Sequence, residues 1–258
     1  MNRTAFLLDQ RSIIVTGAAQ GIGRAISELA MQLGARVTAV DMNADALAAF
    51  EREAPKDQLL TLAGDVSDPA FAAAAVERAA QRYGAVDGLV NNAGITRTAM
   101  IEKMTREAWQ KVIDVHLTGS FQFLQAVGRH MLAGARETGK PGGSIVNITS
   151  DAGRRGTIGQ INYAAAKSGV LGLTMSAARE WGKYGIRVNT IGFGVVETPM
   201  TETIRGDKFR DTYLSQIPLG RFGQPGEVAW PVCFLLSDAA SYMTGQHLYA
   251  NGGMTIGM

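Results

Sequence analysis

Short runs of consecutive apolar residues alternate along the chain with longer stretches in which apolar residues recur every three or four positions. The runs at 12–16, 35–41, 58–63, 86–91, 144–149, 186–191 and 247–250 predict seven strands. They are near-continuous rather than alternating, as strands covered on both faces require. Helical spacing predicts helices over 21–33, with Ile22, Ile26, Leu29 and Leu33 on one side, and over 44–53, 69–83, 105–132, 160–181 and 225–236. Pro69 opens the third of these and Thr105 is placed to cap the fourth. Residues 134–143 (GARETGKPGG) give the strongest loop signal. Residues 200–215 read as mobile helices within a lid over about 199–217. Strand and helix in turn imply an α/β fold, a doubly wound parallel sheet of about seven strands with helices on both faces. Neither a linker nor a repeat divides it, so one domain over 1–258 is expected.

Open parallel sheets bind ligands beyond the carboxyl ends of their strands, so chemistry is sought there. Directly after the first strand comes TGAAQGIG. Gly17 permits a tight turn, Gly21 lets backbone amides approach a phosphate, and Gly23 lets the helix pack against the sheet. The spacing is G-x-x-x-G-x-G, a longer first loop than G-x-G-x-x-G, but it lies between a strand and a helix as a dinucleotide site requires. Gly17, Gln20, Gly21, Ile22 and Gly23 are the candidate pyrophosphate contacts. Asp41 ends the second strand about 20 residues further on, where a carboxylate can accept from both adenosine ribose hydroxyls. It would repel a 2′-phosphate, and Gln20, Met42 and Asn43 offer no compensating cation. NAD(H) is therefore expected in preference to NADP(H).

Tyr163 and Lys167 stand at i and i+4 on a predicted helix and share a face. A phenol titrates near pH 10 unperturbed, and an ammonium one turn away favours the phenolate. That pairing would bring Tyr163 toward the range where acid/base catalysis is efficient. Ser150 lies at the carboxyl end of the fifth strand, where its hydroxyl can hydrogen-bond a carbonyl oxygen; Thr149 and Ser144 compete for that role. Asn91-Asn92-Ala93-Gly94 follows the fourth strand at the same end of the sheet, as a turn or as part of the site.

Composition narrows the field. In 258 residues the net charge is only +2, with no block of like charges, so a basic nucleic-acid surface is not indicated. The lone Cys233 cannot form an internal disulfide, sits in an apolar run, and belongs to no cluster of zinc spacing; no metal is expected. The segment MNRTAFLLDQRS lacks a signal-peptide run, and no apolar stretch reaches roughly 18 residues. The expectation is a soluble cytoplasmic protein.

Together, TGAAQGIG, NNAG, Ser150 followed thirteen residues later by Tyr163, and YAAAK resemble the short-chain dehydrogenase/reductase family, over nearly the whole chain to Asn251-Gly252-Gly253. The nearest flavour is that of 3-oxoacyl-(acyl-carrier-protein) reductases and similar hydroxyacyl or sugar-alcohol dehydrogenases. The resemblance implies a Rossmann-type fold in which Tyr163 exchanges the proton with the substrate oxygen. Lys167 would lower its pKa and hold the nicotinamide ribose, and Ser150 would orient the carbonyl. It further implies that Asp65 and Val66 flank the adenine and that Asn92, Ala93 and Gly94 line the cofactor cleft. Val196 and Thr198 would contact the carboxamide and phosphates, and the enzyme would be a homotetramer built on its long helices and last strand.

Two departures bear on the site. Where the family usually has asparagine in an N-x-T-G pattern, this chain has His116, in DVHLTG. A role through the backbone carbonyl, which in the family anchors a water linked to the lysine, survives that change; a histidine can also titrate and join the relay, or simply pack. Where the family has Pro-Gly after the sixth strand, this chain has Phe193-Gly194, with Phe193 either shaping the pocket or packing. Acyl-carrier reductases also tend to place a basic residue where Tyr184 stands, beside Lys183; Arg129 and Arg136 remain candidate contacts for an acidic carrier. The leading expectation is an NAD(H)-dependent oxidoreductase of a secondary alcohol or ketone, with an NADPH-dependent 3-oxoacyl-thioester reductase as alternative. A non-catalytic dinucleotide-binding protein is a distant third, because Ser150, Tyr163 and Lys167 are all present. Substrate choice is expected to depend on 152–161, Phe193 and the lid.

Overall fold

The computed structural model describes residues 4–256. Seven strands form one parallel sheet in the order β3-β2-β1-β4-β5-β6-β7. They are β1 (Ser12–Thr16), β2 (Arg36–Asp41), β3 (Leu59–Ala63), β4 (Gly88–Asn91), β5 (Gly143–Ser150), β6 (Ile186–Phe193) and β7 (His247–Ala250). The doubly wound Rossmann-type fold expected from the sequence is what forms. The order reverses between β1 and β4, which opens a crevice at their carboxyl ends.

Alternate strand residues feed two separate cores. Ile13, Val15, Val146 and Ile148 point into one with α1 (Gly21–Gln32), α2 (Ala44–Glu53) and α10 (Pro225–Leu236), where Ile26, Phe50 and Leu235 meet them. Ile14, Leu89, Ile145 and Val188 point into the other with α3 (Pro69–Tyr83), α5 (Gly119–Thr138) and α7 (Ile161–Trp181), against Val76, Phe123 and Ala177. This two-sided burial is why the strands read as unbroken apolar runs.

The helix expected over 105–132 differs in two ways. Thr105 caps it as expected, accepting from the Ala108 N–H at 3.1 Å. But α4 (Arg106–Ile113) passes through a π-helical turn at Asp114–Thr118 before continuing as α5. Second, α5 runs on to Thr138, so most of the loop expected at 134–143 is helical or strand. Ala135, Arg136 and Glu137 are good helix formers, Ala135 is buried, and the helix stops only where Gly139 adopts φ 70°. Between β5 and α7 lies the short α6 (Ala152–Arg155), and α8 (Glu202–Arg205) and α9 (Asp207–Leu214) fall in the segment expected as a lid. Among the described residues no helix is long and apolar enough to cross a membrane.

Candidate active site

The crevice is a cleft of about 330 Å³ lined from both sides of the switch point. Its first wall is mostly backbone. A Cβ on Gly23 would overlap the Gly17 carbonyl oxygen, and one on Gly17 would lie 2.8 Å from Ala93 Cα, so both positions need glycine for close approach. Asn92 ties the loop to β4: its Nδ2 donates to the carbonyls of Thr16 (2.9 Å) and Gly17 (3.1 Å). Thr16 Oγ1 in turn accepts from the N–H groups of Asn92 and Ala93, each at 3.0 Å. The side chain of Asn92 is thus spent on holding the cleft's edge. Asp41 lines the cleft at the end of β2, its oxygens accepting from the Ala19 and Asn43 N–H groups at 3.0 Å each. No cation stands with it: among the lining residues the one lysine or arginine is Lys167.

Gly17, Gln20, Gly21, Ile22, Gly23, Asp41, Val66, Asn92, Ala93, Gly94, Val196 and Thr198 all line this cleft, as their placement after the strands suggested. Asp65 does not. Its carboxylate turns back to accept from Ser67 N (2.9 Å) and Oγ (2.7 Å) and borders a neighbouring depression instead. The dinucleotide cradle therefore fits a pyrophosphate at the start of α1, with Gly64 and Val66 forming the wall where Asp65 was expected.

The second wall is made of side chains, half-buried at Ser150 and Tyr163 and buried at Lys167 and His116. Ser150 at the end of β5 and Tyr163 in the first turn of α7 both line this wall, and Ser150 acts on the Tyr163 phenol electrostatically. Lys167 is 4% exposed; its Nζ donates to the Ile148 carbonyl at 2.7 Å and lies 5.7 Å from the Tyr163 ring centroid. Thr149, a competitor of Ser150, is occupied: its hydroxyl donates to the Lys167 carbonyl at 3.0 Å. Ser144 is buried at the far end of β5, bonded to the Leu235 carbonyl.

Electrostatics correct one expectation. Burial pushes Tyr163 up from its ordinary value, and Ser150 only partly offsets it. Lys167 does not bring the phenol down here; burial lowers the lysine itself to about 7. Desolvation outweighs pairing because the ammonium is held on a carbonyl rather than on the phenol oxygen.

His116 sits in the π-helical turn, 1% exposed, where such turns often mark functional sites. Its ring fills the space left by Gly94 and meets the Tyr163 ring edge-on at 4.9 Å. Nε2 lies 2.7 Å from the Ile95 carbonyl oxygen and 2.9 Å from the Ile95 N–H. One nitrogen serves only one of these at a time, so the tautomer decides which. Burial first, then the Lys167 charge, lower His116 to about 3. Burial therefore favours the neutral ring over the imidazolium. Its own carbonyl accepts from Ser120 Oγ at 2.6 Å.

Several supporting residues escaped sequence reasoning. Asn162, fully buried, donates to the carbonyls of Arg97 (2.9 Å) and Ala108 (3.1 Å) and accepts from the Tyr163 N–H at 2.8 Å, fixing the helix start that carries the tyrosine. A polar ladder beneath the site runs from the Ser120 carbonyl through Asn91 and Asn147 to Thr174. The asparagine directly before Tyr163 is the one sequence signal that could have pointed there. Phe193 is the last residue of β6, buried, and lines the cleft with Gly194, Pro199, Met200 and Thr201. Arg136 and Lys183 flank the Tyr184 ring at 5.2 and 5.1 Å, but near the start of β5, at the opposite end of the sheet from Tyr163. Among the described residues no group of three or more His, Cys, Asp or Glu could hold a metal.

Residues 17–255 match a family model described as enoyl-(acyl carrier protein) reductase. The chain is 43% identical to the 3-oxoacyl-(acyl-carrier-protein) reductase FabG of Thermotoga maritima, over 96% of this chain and 99% of that protein. A solved short-chain dehydrogenase/reductase from Brucella melitensis, titled a glucose/ribitol dehydrogenase, superposes with TM-score 0.89 at 32% identity, covering 96% of this chain and 98% of that one. A putative NAD(P)-dependent gluconate 5-dehydrogenase from Beutenbergia cavernae, solved with NADP at low occupancy, superposes with TM-score 0.87 at 35% identity, over 97% and 98% of the two chains.

Proposed function

We propose, from the premise that this chain belongs to the short-chain dehydrogenase/reductase family, that it reduces the keto group of a 3-oxoacyl thioester with Tyr163 as the proton donor. The chain is an oxidoreductase of CH–OH or C=O groups that uses a nicotinamide cofactor. The sequence put a simple secondary alcohol or ketone first and the thioester second. The identity to a 3-oxoacyl-(acyl-carrier-protein) reductase along the full chain reverses that order.

The observation that carries the reading is that Ser150, Tyr163 and Lys167 line the same cleft as the glycine-rich dinucleotide loop. The bound nicotinamide supplies or accepts the hydride. Tyr163, raised by burial, is protonated at neutral pH, which suits an acid giving its proton to a ketone oxygen. Ser150 donates to the same oxygen and fixes the angle of approach. Lys167, in its protonated form, places positive charge 5.7 Å from the Tyr163 ring centroid, where it favours charge developing on the phenol, and His116 packs against the ring. Phe193 and Met200 give the substrate side an apolar wall suited to an acyl chain. The whole chain works as one domain, with 199–217 closing over the substrate. We take it to act as a homotetramer, with the exposed Phe121 and Met175 of α5 and α7 on the shared face.

For the cofactor, Asp41 favours NADH, since a 2′-phosphate would meet a carboxylate with no cation beside it. The NADP in the Beutenbergia cavernae structure supports the other choice by likeness alone. Initial rates with acetoacetyl-CoA, with NADH and NADPH in parallel, test both halves. Turnover with NADH at kcat/KM at least about tenfold above NADPH is expected. Reduction of a keto sugar acid but not of the thioester would overturn the substrate reading. An NADPH preference would overturn the cofactor reading alone.

A further inference from the structure

Strands β5, β6 and β7 end side by side, with Ser150 level with Phe193 and Phe193 level with Ala250. The next residues out are Asp151, Gly194 and Asn251. Asp151 is 4% exposed, a position where a carboxylate is rare without a partner. Its partner lies two strands away: Asn251 Nδ2 donates to both carboxylate oxygens, at 3.0 and 3.2 Å. The asparagine reaches across Gly194, whose missing Cβ would lie 3.0 Å from both Cα and Cβ of Asn251. A side chain at 194 would block that crossing, which gives the glycine between the two strands a structural reason.

Asn251 also faces the other way. Its Oδ1 accepts from the Gly253 N–H at 3.0 Å, and the Gly252 carbonyl accepts from the Leu219 N–H at 3.1 Å. A Cβ on Gly252 would lie 2.7 Å from Ile217, and one on Gly253 2.9 Å from Pro218, so this tail lies flat on the base of the lid. A continuous set of contacts therefore joins the lid base, through Gly252 and Asn251, to Asp151 and the turn that carries Ser150. Neither Asp151 nor Asn251 lines the cleft, so any effect they have on chemistry passes through a neighbour.

We propose that the Asp151–Asn251 pair is a positioning device that couples the base of the lid to the Ser150 turn, holding the Ser150 hydroxyl in register when the lid closes. It rests on the catalytic reading of Ser150 given above. What matters is an acceptor on residue 151 for the Asn251 amide.

The test measures kcat with acetoacetyl-CoA, NADH affinity, and hydrogen exchange at 217–220 in Asp151→Ala, in Asp151→Asn, in Ser150→Ala, and in Asp151→Ala combined with Ser150→Ala. Asp151→Ala is expected to lower kcat about tenfold, the scale of one lost buried hydrogen bond, and to leave the Kd for NADH within about twofold. Asp151→Asn keeps an acceptor and recovers most of that loss. In the Ser150→Ala background Asp151→Ala costs nothing further, because the two act as one unit. Exchange at 217–220 rises in Asp151→Ala and not in Ser150→Ala. An equal further loss of kcat in the Ser150→Ala background, or unchanged exchange at 217–220, overturns the proposal. Full activity of Ser150→Ala alone overturns the catalytic reading of Ser150, and exchange then still decides the coupling. Should Asp151→Ala not fold, Asp151→Ser carries the same comparison.

Discussion

The two walls of the cleft are built from different materials. On the β1–β3 side the cradle is backbone: glycines without which Gly17, Gly23 and Ala93 would collide, stitched to β4 by Asn92. On the β5–β6 side the working surface is side chain: Ser150, Tyr163, Lys167 and His116, with Lys167 and His116 held on backbone carbonyls. A backbone cradle costs little desolvation and depends on the absence of atoms. A buried polar cluster is expensive and depends on the presence of partners. The first wall should therefore govern cofactor affinity, and the second should govern turnover and cost stability.

Adding one methyl group to the first wall should have the largest effect on cofactor affinity. Gly23→Ala drives a Cβ onto the Gly17 carbonyl and the Asn92 amide, and overpacking of this kind costs roughly 1–3 kcal/mol. The Kd for NADH is expected to rise about 10- to 100-fold with kcat at saturating NADH little changed. A fall in kcat with unaltered Kd, measured by fluorescence titration and initial rates, would dissolve the distinction between the walls.

The cost of the second wall shows in Lys167. Burial holds it at about 7 against an ordinary value of 10.5, so between those values the unfolded chain binds the extra proton. The folded state is thus penalised most below pH 7, and the penalty fades as pH rises toward 10.5. Lys167→Met should abolish most turnover yet raise the Tm at pH 7 by roughly a few degrees, with the gain shrinking toward pH 10. A lowered Tm at neutral pH would mean that the ammonium stabilises the site.

How far these walls were legible follows from the same difference. Gly17, Gly21, Gly23 and Asp41 announce themselves because backbone demands leave glycine at fixed spacing after a strand. Tyr163 and Lys167 were legible through their helical spacing, and Thr105 through its cap. Asp65 was misplaced because a following serine offered its carboxylate a local turn. The π-helical turn at Asp114–Thr118 leaves no periodicity signal, and α5 ran through a glycine-rich stretch because Ala135 finds burial there. Asn162 and the Asn91–Asn147–Thr174 ladder join residues tens of positions apart, which no local pattern encodes.

His116 gives the most particular effect, one confined to acid pH. Its value is lowered from 6.5 to about 3, so the stability it contributes is complete above pH 6.5 and is lost as pH falls toward 3. Between those values the group alone costs about 1.4 kcal/mol per pH unit. His116→Asn should flatten that acid limb, read from urea midpoints between about pH 4.5 and 6.5. An unaltered limb would mean that the ring is protonated in the folded site after all.

The most direct test of the catalytic account is Tyr163→Phe, which removes one oxygen from the second wall and leaves the first intact. Single-turnover reduction of acetoacetyl-CoA is expected to fall about 10³-fold, within the usual range for loss of a general acid, while the Kd for NADH stays within about twofold. Turnover within about tenfold of the unaltered enzyme would contradict the assignment of Tyr163 as the proton donor.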